Sequence, residues 1–362
     1  MRILHLGTPF FVRDFRELGH EVIHAAFDGR GDVRLDAPPA VLKDIVSQLP
    51  NSWEPDVVLL GDDSLPPRIV GLEYLEAPLV WYAVDSHLHL SWHIQYASVF
   101  DIVLVAQRDF VGCYRTAPDR HLVEWMPAFC DARDDRRLNL SRDIPVCFVG
   151  TLNAQWNPAR VALIESVRAR IPLEVRTGPY VEPFNRSQIV LNQCAANDLN
   201  FRTFQAMACG AMLLSERIGN GLSELFQEGR HLAGYDRDAV DQIVEAVHRY
   251  QRQASERVAI AEAGHHAVRA AHTSRHRAER ILRLLADHDL SARIIKRRRC
   301  MGSIQASLGT VYEIAWRRCI QAALRFAPDS PDFTRYRGMA RRYGALAAKI
   351  RGDLTGLLER AS

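Results

Sequence analysis

The sequence predicts an α/β protein with two Rossmann-like parallel-sheet domains and a C-terminal helical extension. The chain has 362 residues, which is more than one ordinary core accommodates. Short apolar runs alternate with segments of helical periodicity, as in parallel sheets that are covered on both faces. After residue 290 the pattern changes to helices only. We therefore expect domains at 1–140 and 141–288, facing a cleft, and an extension at 289–362.

Five apolar runs predict the strands of the first domain. They are Ile3–Leu6, Val22–Ala26, Val57–Gly61, Leu79–Val84 and Ile102–Ala106. A helix through Phe11–Leu18 follows the first strand. The turn before this helix is not a glycine-rich phosphate loop, and Pro9 removes one N–H donor from it. We therefore expect this domain to bind no dinucleotide and to serve the acceptor side of the site.

The second domain follows a predicted linker at Asp131–Asp143, which is rich in Asp and Arg and lacks apolar periodicity. Its predicted strands are Ile144–Val149, Leu173–Arg176, Ile189–Asn192 and Ala211–Leu214. Its predicted helices are Asn157–Arg170, Phe201–Met207, Ala239–Tyr250 and the long stretch Ser255–Asp287. The alternation predicts a second α/β unit.

The C-terminal extension is strongly basic. Residues 291–362 carry 15 Lys and Arg against 5 Asp and Glu, a net charge of +10, whereas residues 1–290 carry −7. Lys296–Arg299, followed by an apolar stripe that contains Trp316, predicts docking on an anionic membrane surface or a lipid-linked acceptor. An acidic protein partner, or the acidic body of the chain itself, would also suit this charge. The alternative is a helical extension that packs its stripe on the second domain. No nucleic-acid-binding motif accompanies the charge, so we expect no nucleic acid partner.

Cysteine use and the N-terminus predict a cytoplasmic location. The seven cysteines are odd in number and form no metal-type pairs, which favours a reducing compartment. The opening strand leaves no room for a signal peptide. If the basic extension binds lipid, we expect the protein to lie peripherally on the inner face of the membrane.

The strongest local pattern is a helix followed by a buried strand. The first turn of the helix Phe201–Met207 carries Arg202, and a helix N-terminus with a guanidinium suits a diphosphate group. Gln205 is three residues further on and shares the same helix face. The alternative is an amphipathic helix that only packs on the sheet, with Gly210 as its cap.

Asp85 and His87 are the candidate catalytic residues of the first domain. They follow a predicted strand, where open α/β sheets place the loops that contact ligands. Asp85 would act as a base or orient one substrate, and His87 would contact the other. Alternatively Asp85 caps a helix and His87 lies on the surface. His89 and His93, four residues apart, suggest a metal only superficially, because no carboxylate or thiolate completes the set.

Several sequence blocks together resemble the CgeB-like (spore-maturation-protein-type) family of GT-B glycosyltransferases, over roughly residues 50–285. The family carries an Arg-x-Phe-Glu-Ala-x-Ala-Cys-Gly segment, which Arg202–Gly210 match except that Gln205 replaces the Glu. Further similar blocks occur in the same order at Trp81–His87, Tyr96–Asp101, Phe148–Thr151, Ile189–Asn192 and His272–Arg277.

The resemblance implies a GT-B fold whose second domain binds the diphosphate of a nucleotide-sugar donor. The turn after the strand Ile144–Val149 would offer backbone N–H groups, and a Glu at position 205 would hold the ribose hydroxyls, so the Gln puts donor affinity or identity in question. The implied donor-binding residues are Gly150, Thr151, Asn153, Arg160, Asn192, Arg202, Gln205 and Gly210.

The implied activity is transfer of a sugar to a hydroxyl of a glycan, a lipid-linked glycan or a protein, with retention of anomeric configuration. No Asp-x-Asp lies on the expected donor strand, and Asp62-Asp63 belongs to the first domain and may equally cap a loop, so we expect neither a catalytic metal nor another cofactor. Two alternatives stay open, a non-catalytic nucleotide- or sugar-binding protein and a sugar-nucleotide epimerase of the same fold.

Overall fold

The computed structural model describes residues 1–115 and 120–352, and their contacts divide the chain into two compact units. Unit 1 contains residues 1–106, 110–126 and those from 282 onward. Unit 2 contains residues 107–109 and 127–281. The C-terminal segment thus contributes to unit 1, whereas the sequence suggested a separate extension.

Unit 1 is built on a seven-stranded parallel sheet in the order β3-β2-β1-β5-β7-β8-β9, and a pair of short strands, β4 and β6, lies beside it. The strands are β1 Arg2–Gly7, β2 Glu21–Ala26, β3 Val33–Arg34, β4 Ala40–Val41, β5 Val57–Gly61, β6 Ile69–Val70, β7 Leu79–Ala83, β8 Ile102–Val105 and β9 Leu122–Trp125. All five predicted strands form, because each is an apolar run that is buried on the sheet. The sequence analysis missed the edge strands β3 and β9.

The first four helices of the chain connect these strands. They are α1 Val12–Glu17, α2 Leu42–Val46, α3 Ser86–Tyr96 and α4 Val111–Tyr114. Short 3₁₀ turns at Leu72–Tyr74, Ala97–Val99 and Arg108–Phe110 complete this part. The helix α3 packs its aromatic side chains around Trp81, whose ring stacks on Phe100 at 5.3 Å, so the β7–α3 connection is held firmly at the carboxyl edge of the sheet.

Unit 2 contains a five-stranded parallel sheet in the order β11-β10-β12-β13-β14. Its strands are β10 Ile144–Val149, β11 Glu174–Arg176, β12 Ser187–Asn192, β13 Met212–Glu216 and β14 Ala233–Tyr235. Its helices are α5 Pro158–Arg168, α6 Val181–Arg186, α7 Phe201–Ala208, α8 Leu222–Leu225, α9 Val240–Arg252, α10 Ala254–Ala271 and the first part of α11 Ser274–Asp287, whose residues from 282 onward belong to unit 1. A further 3₁₀ turn lies at Ala195–Asn197. The four predicted strands form, and β14 is an additional edge strand.

The segment 131–143, predicted as a linker, packs on unit 2. The backbone N–H of Leu138 donates to Asn185 Oδ1 at 2.7 Å, and Arg142 donates to the carbonyl of Ser187 at 2.6 Å. The segment has no apolar periodicity because hydrogen bonds and ion pairs, rather than an apolar face, hold it in place.

The C-terminal helices pack on unit 1 and not on unit 2, which overturns the alternative weighed for the apolar stripe. They are α12 Leu290–Arg299, α13 Met301–Ala323 and α14 Pro331–Arg351. Stripe residues of α13 are buried in the same core as β7 and α3. In the described ranges no helix is long and apolar enough to cross a bilayer.

Candidate functional site

The strand order of unit 2 places a crevice between β10 and β12. The chain leaves β10 for β11 on one side of the sheet and returns to β12 on the other side. In open parallel sheets of this order, ligands bind at the carboxyl ends of the two strands where the direction reverses. Here those ends are Val149-Gly150 and Asn192-Gln193.

Arg202, in the first turn of α7, lies at this crevice. Its Nε donates to the carbonyl of Val149 at 2.9 Å, and its Nη1 donates to Asn192 Oδ1 at 2.9 Å. The guanidinium stands over the Phe148 ring, 4.7 Å from the ring centroid. A Cβ at Gly150 would lie 2.5 Å from Arg202 Nη2, so a side chain at this position would displace the guanidinium from its present place.

Arg160 supplies a second cation at the same place. Asn157 caps α5 by accepting from the Arg160 backbone N–H at 3.0 Å, which fixes the first turn of the helix. The Arg160 Nε donates to Gln193 Oε1 at 2.8 Å, and its Nη1 reaches the carbonyl of Thr151 at 3.5 Å. The side chain therefore extends from α5 across the end of β10 towards β12.

The two guanidiniums form an electropositive pair, on which the Asp198 carboxylate also acts electrostatically. Burial, and next the charge of Arg160, lower the pKa of Arg202 to about 10. Both side chains donate to uncharged oxygens, and no carboxylate within 1–115 or 120–352 forms an ion pair with either. Partly buried cations that donate to uncharged oxygens favour an anionic ligand.

The structure brings six predicted donor-binding residues together and separates two others. Asn153 belongs to the group through the β10–α5 connection, where its Oδ1 accepts from the Gln155 backbone N–H at 2.9 Å. The Gly150 N–H already donates to the Arg176 carbonyl within the sheet and is not available to a ligand. The six are Gly150, Thr151, Asn153, Arg160, Asn192 and Arg202.

Gln205 lies further along α7, and Gly210 lies just beyond the C-terminus of that helix. Gln205 Nε2 donates to the Tyr180 hydroxyl at 2.8 Å, and that hydroxyl donates to Asp135 Oδ1 at 2.8 Å. Gly210, with φ +78°, follows the C-terminus of α7 and precedes β13, at the opposite edge of the sheet. Its observed role is to end the helix, which only a residue without Cβ does easily in this backbone conformation.

Asp85 and His87 lie in unit 1, at the start of α3. Asp85 has a left-handed backbone with φ 52°, and its side chain makes no capping hydrogen bond, so the capping alternative is not supported. Its carboxylate accepts a short hydrogen bond from Ser64 Oγ. His87 is partly buried, and its Nδ1 has no partner within the described residues. Burial lowers the pKa of His87, and the charge of Asp85 partly offsets this.

The neighbouring histidines take part in internal contacts. His93 Nδ1 is 2.7 Å from the Tyr114 hydroxyl, which is also 2.7 Å from Ser86 Oγ. His93 Nε2 lies 3.5 Å from Asp62 Oδ2, and His89 Nδ1 lies 3.3 Å from Arg318 Nη1. In the part of the chain that the structure describes, no three His, Cys, Asp or Glu residues are grouped as a metal site would require.

Sequence reasoning missed this buried polar network. Asp62 accepts from the backbone N–H of Ser64 at 2.9 Å and of Val84 at 3.1 Å, so it organises two loops at once. Burial raises the pKa of Asp62 well above its usual range. In the sequence, this network was indicated by the pair Asp62-Asp63, which comes directly after β5.

Comparisons with known proteins bear on the fold class of the chain. Residues 128–283 match the model of a family described as glycosyl transferase-like. No curated protein sequence that was compared matches the chain. Among solved structures, Anabaena HepE in complex with UDP-glucose has a TM-score of 0.60 at 11% identity, covering 80% of this chain and 100% of HepE.

Two other solved structures are similar. Sucrose-phosphate synthase from Thermosynechococcus elongatus has a TM-score of 0.57 at 11% identity, with 79% of this chain and 99% of that chain covered. An alpha-glucosyltransferase in complex with UDP-glucose and DNA containing an abasic site has a TM-score of 0.56 at 12% identity, with coverages of 79% and 99%. The chain therefore has the GT-B fold of glycosyltransferases.

Proposed function

We propose that the chain is a glycosyltransferase of the CgeB-like type, which transfers a hexosyl group from a nucleoside diphosphate sugar to a hydroxyl acceptor. The observation that carries this proposal is the pair Arg160 and Arg202 at the β10/β12 crevice, whose guanidiniums donate to the neutral oxygens of Gln193, Val149 and Asn192. The leaving group of such a transfer is a nucleoside diphosphate, and two fixed guanidiniums stabilise the charge that develops on it.

We further propose that the transfer needs no metal or other cofactor and retains the anomeric configuration. Guanidiniums held by Asn192, Gln193 and the Val149 carbonyl are preorganised, so they can do for the diphosphate what a divalent cation does elsewhere. Retention rests on the family resemblance alone. In unit 1, Asp85 is proposed to act as base or to orient the acceptor, and His87 to contact the donor sugar.

UDP-glucose is the first donor to test, because HepE and the alpha-glucosyltransferase were solved with it. The proposed acceptor is a hydroxyl of a glycan, a lipid-linked glycan or a protein. We place the reaction in the cytoplasm at the inner face of the membrane, with the basic C-terminal segment facing anionic lipid or an acidic protein.

The decisive experiment is a thermal-shift panel with UDP, GDP, dTDP, CDP, CMP and NAD, each with and without EDTA. A ligand that binds only the folded state raises the melting midpoint. We expect a selective shift with one nucleoside diphosphate that EDTA does not change. A flat panel, or a shift with NAD alone, would contradict the donor site, and loss of the shift in EDTA would contradict metal independence.

Two outcomes of a turnover assay lead to the alternative functions. The non-catalytic alternative is favoured by Gln205, whose Nε2 is bound to Tyr180 rather than free for a ribose. Binding of UDP-glucose with neither hydrolysis nor transfer would support it. Formation of the C2 epimer without an acceptor would identify an epimerase.

A further inference from the structure

A second crevice lies in unit 1, where the strand order also reverses. The chain runs from β1 to β2 and β3 on one side, and from β5 to β7 and β8 on the other. A Cβ at Gly7 would lie 2.5 Å from the Gly61 carbonyl oxygen, so two glycines allow the carboxyl ends of β1 and β5 to meet. In open α/β sheets this is the position of a ligand.

A small pocket occupies this position, and we call it the switch-point pocket. Its free volume of about 20 Å³ holds one water-sized group. Aromatic rings, two carboxyl groups and one guanidinium form its polar and aromatic wall. The residues concerned are Phe27, Asp62, Asp63, Arg68, Trp81, Trp92 and Tyr96.

Two hydrogen-bond donors of this wall have no partner. Trp92 is 1% exposed and Tyr96 is 3% exposed. The Trp92 Nε1 and the Tyr96 hydroxyl form no hydrogen bond with any residue that the structure describes. Leaving a buried donor unsatisfied is energetically costly, so each favours an occupant that accepts a hydrogen bond.

The charges of the wall restrict that occupant. Arg68 is already paired with Asp63, its Nη1 lying 2.9 Å from the carboxylate, and it covers the Phe27 ring at 4.0 Å. Two carboxyl groups disfavour an anion, and the unpaired donors of Trp92 and Tyr96 cannot serve a cation. A hydroxyl suits the site, because it accepts two hydrogen bonds and donates one.

We propose that the switch-point pocket binds a hydroxyl or hydroxymethyl group of an uncharged sugar, with Trp92 and Tyr96 as donors and the Asp62 or Asp63 carboxyl as acceptor. That this sugar is the acceptor rests on the proposed function, whereas its binding in the pocket does not.

The pocket is held by the C-terminal helix α14. The Tyr343 hydroxyl donates to the Pro67 carbonyl at 2.7 Å, and Arg342 Nη2 donates to the Pro38 carbonyl at 2.5 Å. Pro67 lines the pocket. The loop that carries Arg68 is therefore preorganised, which lowers the entropy cost of binding a small neutral group.

The test uses saturation-transfer NMR titrations of the full chain with methyl α-glucopyranoside and with glucuronate, in which a carboxylate replaces the hydroxymethyl group. Wild type is compared with Tyr96→Phe and Trp92→Phe, and with Tyr312→Phe, a buried tyrosine of the same core that does not line the pocket. We expect the glucoside to bind about three- to tenfold more weakly to the first two variants and unchanged to the third. Glucuronate should bind more weakly than the glucoside.

A nucleoside diphosphate thermal shift, measured on each protein, separates this proposal from the donor site. Three results would overturn the proposal and leave the pocket an ordered-water site only. They are the absence of glucoside binding, equal binding of the glucoside by wild type and Tyr96→Phe, and stronger binding of glucuronate than of the glucoside. If none of the nucleoside diphosphates UDP, GDP, dTDP and CDP shifts any of these proteins while the glucoside pattern holds, the proposed function fails and the pocket stands. Tyr96→Phe removes the hydroxyl and keeps the shape of the side chain. The test can therefore be made with this variant even if Trp92→Phe does not fold.

Discussion

Arg160 offers the cleanest single-residue test of the donor site, because its side chain is only lightly used by the fold. It donates to Gln193 and to the Thr151 carbonyl, whereas Arg202 joins the ends of the two strands β10 and β12. We expect Arg160→Ala to weaken UDP binding by about tenfold or more, since a hydrogen bond to a charged group contributes about 1.5–3 kcal/mol. Isothermal titration with UDP measures this.

The control for Arg160→Ala is Arg170→Ala. Arg170 lies just after α5 and pairs with Asp241 on the surface at 2.5 Å. Arg170→Ala should leave UDP affinity unchanged, because Arg170 lies beyond the C-terminus of α5, whereas Arg160 is in its first turn, and solvent screens the lost charge. Equal affinity of wild type and Arg160→Ala would remove the guanidinium pair from the proposed site.

Asp135 should make the stability of unit 2 depend on pH. Burial is the largest cause that raises its pKa from 3.8 to about 6. Between these values the folded chain holds a proton that the unfolded chain has released. This carboxyl therefore stabilises the fold most below pH 4, and its contribution is lost as the pH rises through 6, in total about 3 kcal/mol.

The measurement compares melting midpoints of wild type and Asp135→Asn from pH 4 to pH 7.5. Other groups titrate equally in both proteins, so their difference isolates Asp135. We expect Asp135→Asn to gain stability relative to wild type as the pH rises. A difference that is constant with pH would mean that Asp135 has an ordinary pKa.

At the scale of elements, local periodicity was sufficient to predict most of the fold. Each apolar run bounded by turns, such as Val57–Gly61 or Ile189–Asn192, became a buried strand. The edge strand Val33–Arg34 was not predicted because a run of two residues is too short to show a periodicity. The contact between Asp101 and Arg297 was not predicted because the two residues are 196 positions apart. The pattern of charges along a sequence does not indicate which distant residue a charged side chain will pair with.

The candidate site was predictable to the same extent. Arg202 and Asn192 were identified through a resemblance in sequence blocks, and the β10/β12 crevice then brought them together. Gln205 shares a helix face with Arg202 in the sequence, yet one further turn along α7 brings it to Tyr180. Which groups lie beside a helix depends on residues far away in sequence, and periodicity does not contain that information.

The helix α12 is anchored by one buried ion pair. The Arg297 and Asp101 side chains are 2% and 1% exposed and form a short ion pair, and Arg297 Nη2 also donates to the Ala77 carbonyl at 3.0 Å. We expect Arg297→Ala to lower the free energy of unfolding by about 3–5 kcal/mol, since Asp101 would remain as an unpaired buried charge. Chemical denaturation followed by fluorescence measures this loss.

The neighbouring residue Arg298 is the matched control. It pairs with Glu76, whose side chain is 84% exposed, so Arg298→Ala should change stability by less than about 1 kcal/mol. A similar small effect for Arg297→Ala would show that α12 is not held by the ion pair. The double variant Arg297→Leu/Asp101→Leu removes both charges and should recover part of the loss.

At the scale of the whole molecule, the candidate residues for chemistry and for donor binding belong to different units. Asp85 and His87 lie in unit 1, and the guanidinium pair lies in unit 2. We therefore expect Asp85→Ala and His87→Ala to lower sugar transfer by at least about a hundredfold while the UDP thermal shift is unchanged. Transfer at the wild-type rate in both variants would reject their catalytic role.

The basic C-terminal segment remains the feature that best predicts a membrane partner. The structure, however, changes which of its residues would contact the membrane. Arg297 is buried and α13 packs its stripe on unit 1, so neither faces a partner. The turn between α13 and α14 instead exposes Leu324 by 76% and Phe326 by 38%, next to Arg325. Exposed apolar side chains beside cations on a chain segment of net charge +10 suit an anionic bilayer surface.

We expect the wild-type chain to sediment with phosphatidylglycerol vesicles at low salt and to be released as salt shortens the Debye length from about 10 Å at 0.1 M to about 3 Å at 1 M. Leu324→Ser/Phe326→Ser should weaken sedimentation several-fold, because the apolar contribution is lost while the charge stays. Val258→Ser, at a side chain of unit 2 that is 52% exposed, should not. If the wild type fails to sediment at low salt, the membrane partner is excluded and an acidic protein becomes the partner to search for.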